Sequence, residues 1–351
     1  MLKIDGDVMS KDKAIAAIKA GSIVDADQSL LPFFLKRTGD IEGWLKSRAI
    51  DAHRTNSRLL KKALRLAAND DAALVLKVNA ATITDTYWFR EEGAGLKFDD
   101  VRFKANYFDK LALYGDPDGF NLPYSATPEL TNIGSFEKCW RLSDGKWWMI
   151  KQGSEPERFS EMFVCKLGEA LGFPMAEYYC DNAVIKSPDF TQGASVNYEA
   201  AEGLVGDDED YALNFDVLRE LSPDLAEQYM EIIYLDTLCF NMDRHTRNYG
   251  ILRDVNTGAV LRMAPNYDNN IALISRGMPS DLERTNDRLI ALFAELLKQK
   301  KEAFEIAKRL PVPDADMIVD CIKQVPIPVD TQAVTRFISS GSRRIQKQLR
   351  G

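Results

Sequence analysis

Residues 239–270 read CFNMDRHTRNYGILRDVNTGAVLRMAPNYDNN, and this stretch decides the fold. A helical pattern delivers the chain to Asn241-Met242-Asp243. Asn248 follows Asp243 by five residues. YGILRD and AVLRMA then read as a β-hairpin around Asn256-Thr257-Gly258. A hairpin returns the chain to where it began, so Asp268 is expected to converge with Asp243 and Asn248. Three oxygen-bearing side chains without a His or Cys cluster suit a hard cation such as Mg²⁺. One carboxylate is then left to orient an attacking hydroxyl. Protein kinases divide the labour in this way, with a catalytic-loop Asp, an Asn five residues on and a later Asp. His245 is read as a loop histidine that fixes the loop by hydrogen bonds, and Phe240 and Met242 as core.

Working upstream, a phosphotransferase needs a strand lysine for the phosphates and a helix glutamate to hold it. SFEKCWRL, SDGK and WWMIK read as a hairpin with Asp144-Gly145 as its tight turn. Lys151 ends the second strand after four apolar residues. Alone it reads as a surface lysine. With the downstream triad it reads as the phosphate lysine, paired with Glu161 in a helix expected over 157–171. That helix carries Phe159, Phe163, Leu167 and Leu171 on one face and stops at Gly172. Gly134 and Ser135, in TNIGSFEK, are the candidates for backbone contacts to phosphates. There is no G-x-G-x-x-G and no Walker A motif. Trp147 and Trp148 point to opposite faces of their strand, so at least one is read as packing.

The rest of the chain frames this centre. AEYYCDNAVI and ASVNYEAA read as strands, and GDDED (206–210) as a loop. Leu225, Tyr229, Ile232, Ile233, Leu235 and Leu238 give a helix over 224–240. Further helices are expected over 284–309 and 331–349. Residues 115–135 hold three prolines and three glycines and read as an irregular junction. Before it, KDKAIAAIKA reads as a helix capped by Ser10 and stopped by Gly21. ALVLKV and TDTYWF have a strand-like or buried character. A helix over 54–66 places Arg54, Arg58, Lys61, Lys62 and Arg65 opposite an apolar stripe. That basic side reads first as a solvated face, and second as a docking patch for an acidic partner or nucleic acid. The expected fold class is α+β: a two-lobed protein-kinase-like fold with an N-terminal α/β extension. Residues 1–115 form an accessory region, 116–210 a β-rich ATP-binding small lobe and 211–351 a helical large lobe.

Composition narrows the function classes. The 351 residues are 45% apolar and 28% charged, values of an ordinary folded chain. The net charge of −8 argues against nucleic-acid coating. No uninterrupted run of about 18 apolar residues exists to span a membrane, and MLKIDGDVMSKDK lacks the apolar core of a signal peptide. Five cysteines without a C-x-x-C read as free thiols in a reducing compartment, so a cytoplasmic chain is expected. With only two histidines, a zinc site is not expected.

NMDRHTRNYGIL followed by RMAPNYDNNIAL resembles the signature of HipA-like serine/threonine kinases, including their smaller CtkA-type members. In that family the catalytic loop reads N-x-D-x-H-x-x-N and the metal motif P-x-Y-D. The resemblance covers roughly residues 120–300. It implies Asp243 as catalytic base and Asn248 and Asp268 as Mg²⁺ ligands. It supports Lys151 and Glu161 in their roles, and implies ATP-dependent phosphorylation of serine or threonine on a protein. Some members autophosphorylate in the phosphate loop, where Ser135 is the nearest hydroxyl here. Some act as toxins restrained by a DNA-binding partner. No helix-turn-helix is evident in this chain, so operator binding would belong to a separate antitoxin-type protein.

Four other readings compete; one, a DNA-binding regulator, has against it the net charge of −8 and the lack of a recognisable reading helix. D-R-H-x-x-N also resembles the loop of phosphoinositide kinases, but Pro-Asn-Tyr-Asp replaces the DFG-like motif usual there. An antibiotic-type phosphotransferase would show His-Gly-Asp. A non-catalytic kinase-fold binding module would be expected to have lost one of Lys151, Glu161, Asp243, Asn248 and Asp268, and all five are present.

Overall fold

The computed structural model describes residues 4–51, 53–66, 71–273 and 287–350. By its internal contacts the chain divides into two units that are discontinuous in sequence. The first comprises 1–152, 184–199 and 252–261, and the second 153–183, 200–251 and 262–351.

The first unit carries most of the β-structure. Ser22–Ala26, Lys13–Lys19, Gly6–Ser10 and Tyr87–Glu91 form a four-stranded antiparallel sheet in that order. The helix expected over KDKAIAAIKA is therefore a strand. Lys11 turns the chain in a left-handed conformation (φ +48°), and the register shifts between Val8 and Met9 and again between Ala17 and Ile18. The first shift makes Ile15 the extra residue in its strand, which lets Ile15 and Ile18 both be buried, and that i, i+3 spacing mimics a helix. The first four residues of ALVLKV lie in the helix Asp71–Leu76 and the last two in the turn after it, while Tyr87, Trp88 and Phe89 of TDTYWF lie in a buried strand.

The core beneath the sheet gathers Val8, Ile15, Ile18, Trp44, Leu45 and Phe89. A second cluster joins Leu60 and Leu64, from the helix Thr55–Ala63 and its end, to Phe108, Leu111 and Leu130. The 115–135 junction is irregular apart from the short 3-10 turns Pro117–Asn121 and Pro128–Thr131. The hairpin Lys138–Ser143/Lys146–Gln152 follows, with Asp144 and Gly145 both at positive φ, as its tight turn requires. Val184–Pro188 pairs antiparallel with the second strand.

The second unit is mostly helical. Glu155–Ala170 starts with a capping box between Ser154 and Glu157 and buries Phe159, Phe163 and Leu167. Pro223–Cys239 is buried almost all round, including all six apolar positions read from its spacing. The 284–309 reading resolves into Arg288–Gln299 and Lys301–Ala307, broken at Lys300; residues 284–286 lie outside the described residues. Ala315–Lys323 and Thr331–Arg350 complete the unit. Among the described residues no helix is long and apolar enough to cross a membrane.

Candidate active site

The stretch 239–270 folds as its spacing requires. The amide of Ala264 donates to the carbonyl of Gly250 (2.8 Å), closing the base of the Gly250–Asp254/Val260–Met263 hairpin. The segments 241–249 and 264–269 are thereby laid side by side. Asn248 Nδ2 donates to the Asp243 carbonyl (2.9 Å), which leaves the amide oxygen of Asn248 as the end suited to a cation. His245 accepts from the Arg247 amide (3.2 Å) and its own amide donates to the Asp243 carbonyl (3.0 Å), the loop-fixing role expected of it. Phe240 caps the preceding helix in a left-handed conformation and meets Phe337 edge-on. Met242, read as core, is instead 62% exposed, because the chain has already left the buried helix at that point.

What binds the two motifs together is a residue the sequence reading passed over. Arg244 is buried, and it donates to both carboxylate oxygens of Asp236 (2.8 and 3.0 Å). It also donates to the carbonyl of Asn248, the carbonyl of Tyr267 (2.8 Å), and the side-chain oxygens of Asn266 (2.9 Å) and Asn269 (2.7 Å). Asn241 reaches the same Asp236 (3.0 Å). Burial opposes the arginine's charge, but Asp236 more than offsets it and holds the guanidinium protonated. A signal for this was present. Asp236 is a lone acid in the apolar run Ile232–Cys239, and a carboxylate buried there requires a cationic partner.

Asp268 stands at φ +62°, an uncommon conformation for a side-chain-bearing residue, at the candidate metal position. Its amide donates to the Tyr178 hydroxyl (3.2 Å). Burial first, and then its hydrogen bond with Glu161, raise Tyr178 well above the usual phenol range, so it stays neutral. Glu161 is fully buried and accepts from the Asn269 amide (3.2 Å). Glu161 and Asp268 are therefore joined through Tyr178 and Asn269. Among the described residues no group of three or more His, Cys, Asp or Glu side chains could hold a metal on its own. One carboxylate and one amide oxygen fit Mg²⁺, which usually takes one or two protein carboxylates and completes its shell with water and phosphate oxygens.

In the first unit, Lys151 is buried and is the cross-strand partner of Lys138. Directly opposed residues share a face, so both lysine side chains leave the sheet on the same side. Lys138 was not picked out as a site residue, although counting back from the Asp144-Gly145 turn places it opposite Lys151. Its ammonium rests against Gly134 so closely that a Cβ there would come within 2.3 Å. Gly134 has φ +112°, a conformation that favours glycine. Ile133 and Ser135 are exposed. Among the described residues the amides of 133–136 make no hydrogen bond. A short loop with unpinned N–H groups and two lysines at its base has the chemistry suited to an anion. Both tryptophans pack: Trp147 with Ile83 and Trp140, and Trp148 against Cys139 and Ile150.

The model of the HipA-like C-terminal domain matches residues 131–325. Among solved structures the chain is similar to HipA of Shewanella oneidensis MR-1, determined with HipB and its operator DNA as a toxin–antitoxin system. That match has a TM-score of 0.63 at 15% identity over 97% of each chain. It is also similar to the proinflammatory kinase CtkA of Helicobacter pylori, with a TM-score of 0.48 at 18% identity over 60% of this chain and 94% of that one. Comparison with curated proteins gives no match. At such identities the likeness to HipA is one of fold: a mixed α+β, kinase-like architecture.

Proposed function

The chain belongs to the HipA-like C-terminal domain family, and from that premise we propose that it is an ATP- and Mg²⁺-dependent protein serine/threonine kinase. The observation that carries this reading is the Arg244 network, which fastens the Asp243–Asn248 loop to residues 266–269. A network of that kind serves a centre whose loops must keep one spacing. In this reading Asp243 accepts the proton of the substrate hydroxyl. Asn248 and Asp268 hold Mg²⁺, which when bound neutralises charge on the phosphates. Lys151 and Lys138 bind phosphate oxygens, and an anion of several charges offsets their mutual repulsion. Gly134 and Ser135 supply backbone amides. Glu161 orients the Asp268 segment through Asn269 and Tyr178, in addition to the lysine-holding role expected of it.

Residues 1–115 serve as an accessory region, 116–210 as the ATP-binding small lobe and 211–351 as the helical lobe. The substrate is a protein of the same, cytoplasmic compartment. Ser135, exposed in its loop, is the autophosphorylation candidate. A separate antitoxin-type protein is the proposed restraint, since HipA of Shewanella was determined together with HipB.

The test is Mg²⁺-dependent ATP binding and phosphate incorporation in wild type, Asp243→Ala and Asp268→Ala, with phosphosites mapped by mass spectrometry. Incorporation in wild type and its loss in both variants is the expected result. Wild type that binds no Mg·ATP would overturn the reading and favour the non-catalytic binding module. Incorporation with Ser135 unmodified would remove that residue alone.

A further inference from the structure

Arg54 was expected on a solvated basic face. It is instead fully buried, and so is Glu129. Both residues hold the two ends of the 132–138 loop. Arg54 donates to the carbonyl of Asn132 (3.0 Å) at one end and to the carbonyl of Lys138 at the other. Glu129 accepts from Asn132 Nδ2 (2.9 Å) at the first end and from the Trp140 amide (2.6 Å) just past the second. A third contact comes from the same helix start: the Asn56 amide donates to Glu137 Oε1 (3.1 Å).

We propose that Arg54 and Glu129 are positioning residues for this loop, and that the N-terminal region sets nucleotide affinity through them. The proposal rests on the reading of 132–138 as the phosphate loop.

Three observations carry it. First, the middle of the loop is unpinned, so its shape follows from where its ends are held. Second, the two charges face each other at 3.9 Å, Arg54 spends its hydrogen bonds on the loop, and Glu129 divides its own between the loop ends and Asn106 (2.7 Å). Arg54 Nε has no partner among the described residues. Buried ion pairs are poor stabilisers, and one so imperfectly paired is better explained by the geometry it enforces than by the stability it adds. Third, the carbonyl that Arg54 holds belongs to Lys138, whose ammonium lies over Gly134 beside the position of Lys151. A shift of Arg54 therefore moves a phosphate-binding cation and the loop together. Arg54 is itself fixed at the start of Thr55–Ala63, which packs through Leu60 onto Leu111 and Leu130. A partner that displaced this helix would loosen the loop from behind.

The experiment uses the full chain as Arg54→Lys, Glu129→Gln and the control Arg253→Lys. Arg253 is equally buried in the same unit but bonds to the carbonyls of Ser29, Leu31 and Gly258 and to Glu199, away from the loop. Two readouts are taken: Mg·ATP affinity with kcat, and hydrogen exchange of the 133–137 amides without nucleotide. Lysine keeps the charge but cannot span two carbonyls. Arg54→Lys is expected to weaken Mg·ATP binding about tenfold with kcat within about twofold, and to speed exchange in 133–137. Glu129→Gln is expected to do the same more weakly, and Arg253→Lys to change neither. Unchanged affinity and exchange in folded Arg54→Lys would overturn the proposal, as would an equal loss in Arg253→Lys. If Arg54→Lys does not fold, Glu129→Gln decides by the same two readouts. Wild type without ATP binding would sink the kinase reading, and loop exchange would then judge the clamp by itself.

Discussion

Arg244 and Arg54 are both buried arginines that hold a loop by its carbonyls, yet they are built differently. Arg244 meets Asp236 in a two-pronged pair at 2.8 and 3.0 Å. Arg54 stands 3.9 Å from Glu129. At short range the charge-assisted bonds are strong and hold Arg244 protonated, and the hub is a fixed staple. At the longer range burial dominates: it pushes Glu129 up to about 7, outweighing Arg54, Asn132, the Trp140 amide and Asn106. The same residue type thus makes a permanent fastening in one unit and a fastening that titrates near neutrality in the other.

Removing each arginine should expose this difference most strongly. Arg244→Ala leaves the Asp236 charge buried without its cation. It is expected to lower unfolding free energy by about 3–5 kcal/mol and to abolish phosphate incorporation. Arg54→Ala should cost less at pH 6, because Glu129 can take up a proton. Urea denaturation of both at that pH decides; a larger loss in Arg54→Ala would break the comparison.

The second effect is a pH slope. The folded chain holds the Glu129 proton up to about 7, whereas an unfolded glutamate loses it near 4.5. Between those values the native state binds more protons, so stability falls as pH rises. The penalty is absent below the lower value, complete above the upper one, and at most about 3 kcal/mol. Burial also raises the neighbouring Cys139 thiol, so it does not titrate in this window. Glu129→Gln should remove the slope. Wild type and variant losing stability in parallel from pH 5 to 8 would show that Glu129 does not titrate there.

Smaller effects sharpen each side. Gly134→Ala introduces strain of about 1–3 kcal/mol at φ +112° and displaces the Lys138 ammonium. It should weaken Mg·ATP binding while the fold persists, as titration calorimetry beside a thermal melt would report. Tyr178→Phe deletes the hydroxyl between Asp268 and Glu161 and should cost about 1 kcal/mol, with kcat lowered more than ATP affinity. Steady-state kinetics showing the reverse split would place Tyr178 in nucleotide binding.

How far these regions were legible follows the same division. The Asp243–Asp268 stretch could be read because its parts are local: a hairpin turn at Asn256-Thr257-Gly258 and a fixed five-residue spacing. Asp236 could have been found as a lone acid in an apolar helix. The strand at 13–19 was misread because a bulge at Ile15 gave it the spacing of a helix. Arg54 was misread because nothing near it in sequence says what it meets. Its partners lie 78 and 84 residues away.

By itself, then, the sequence determined turns, helix faces and the order of the chemical groups, since these depend on residues within a few positions of one another. The tertiary structure decided which charges are buried, which acid each buried arginine meets and at what distance. Those depend on chain segments far apart in sequence, and a charge's energy depends on separation and on the water excluded around it.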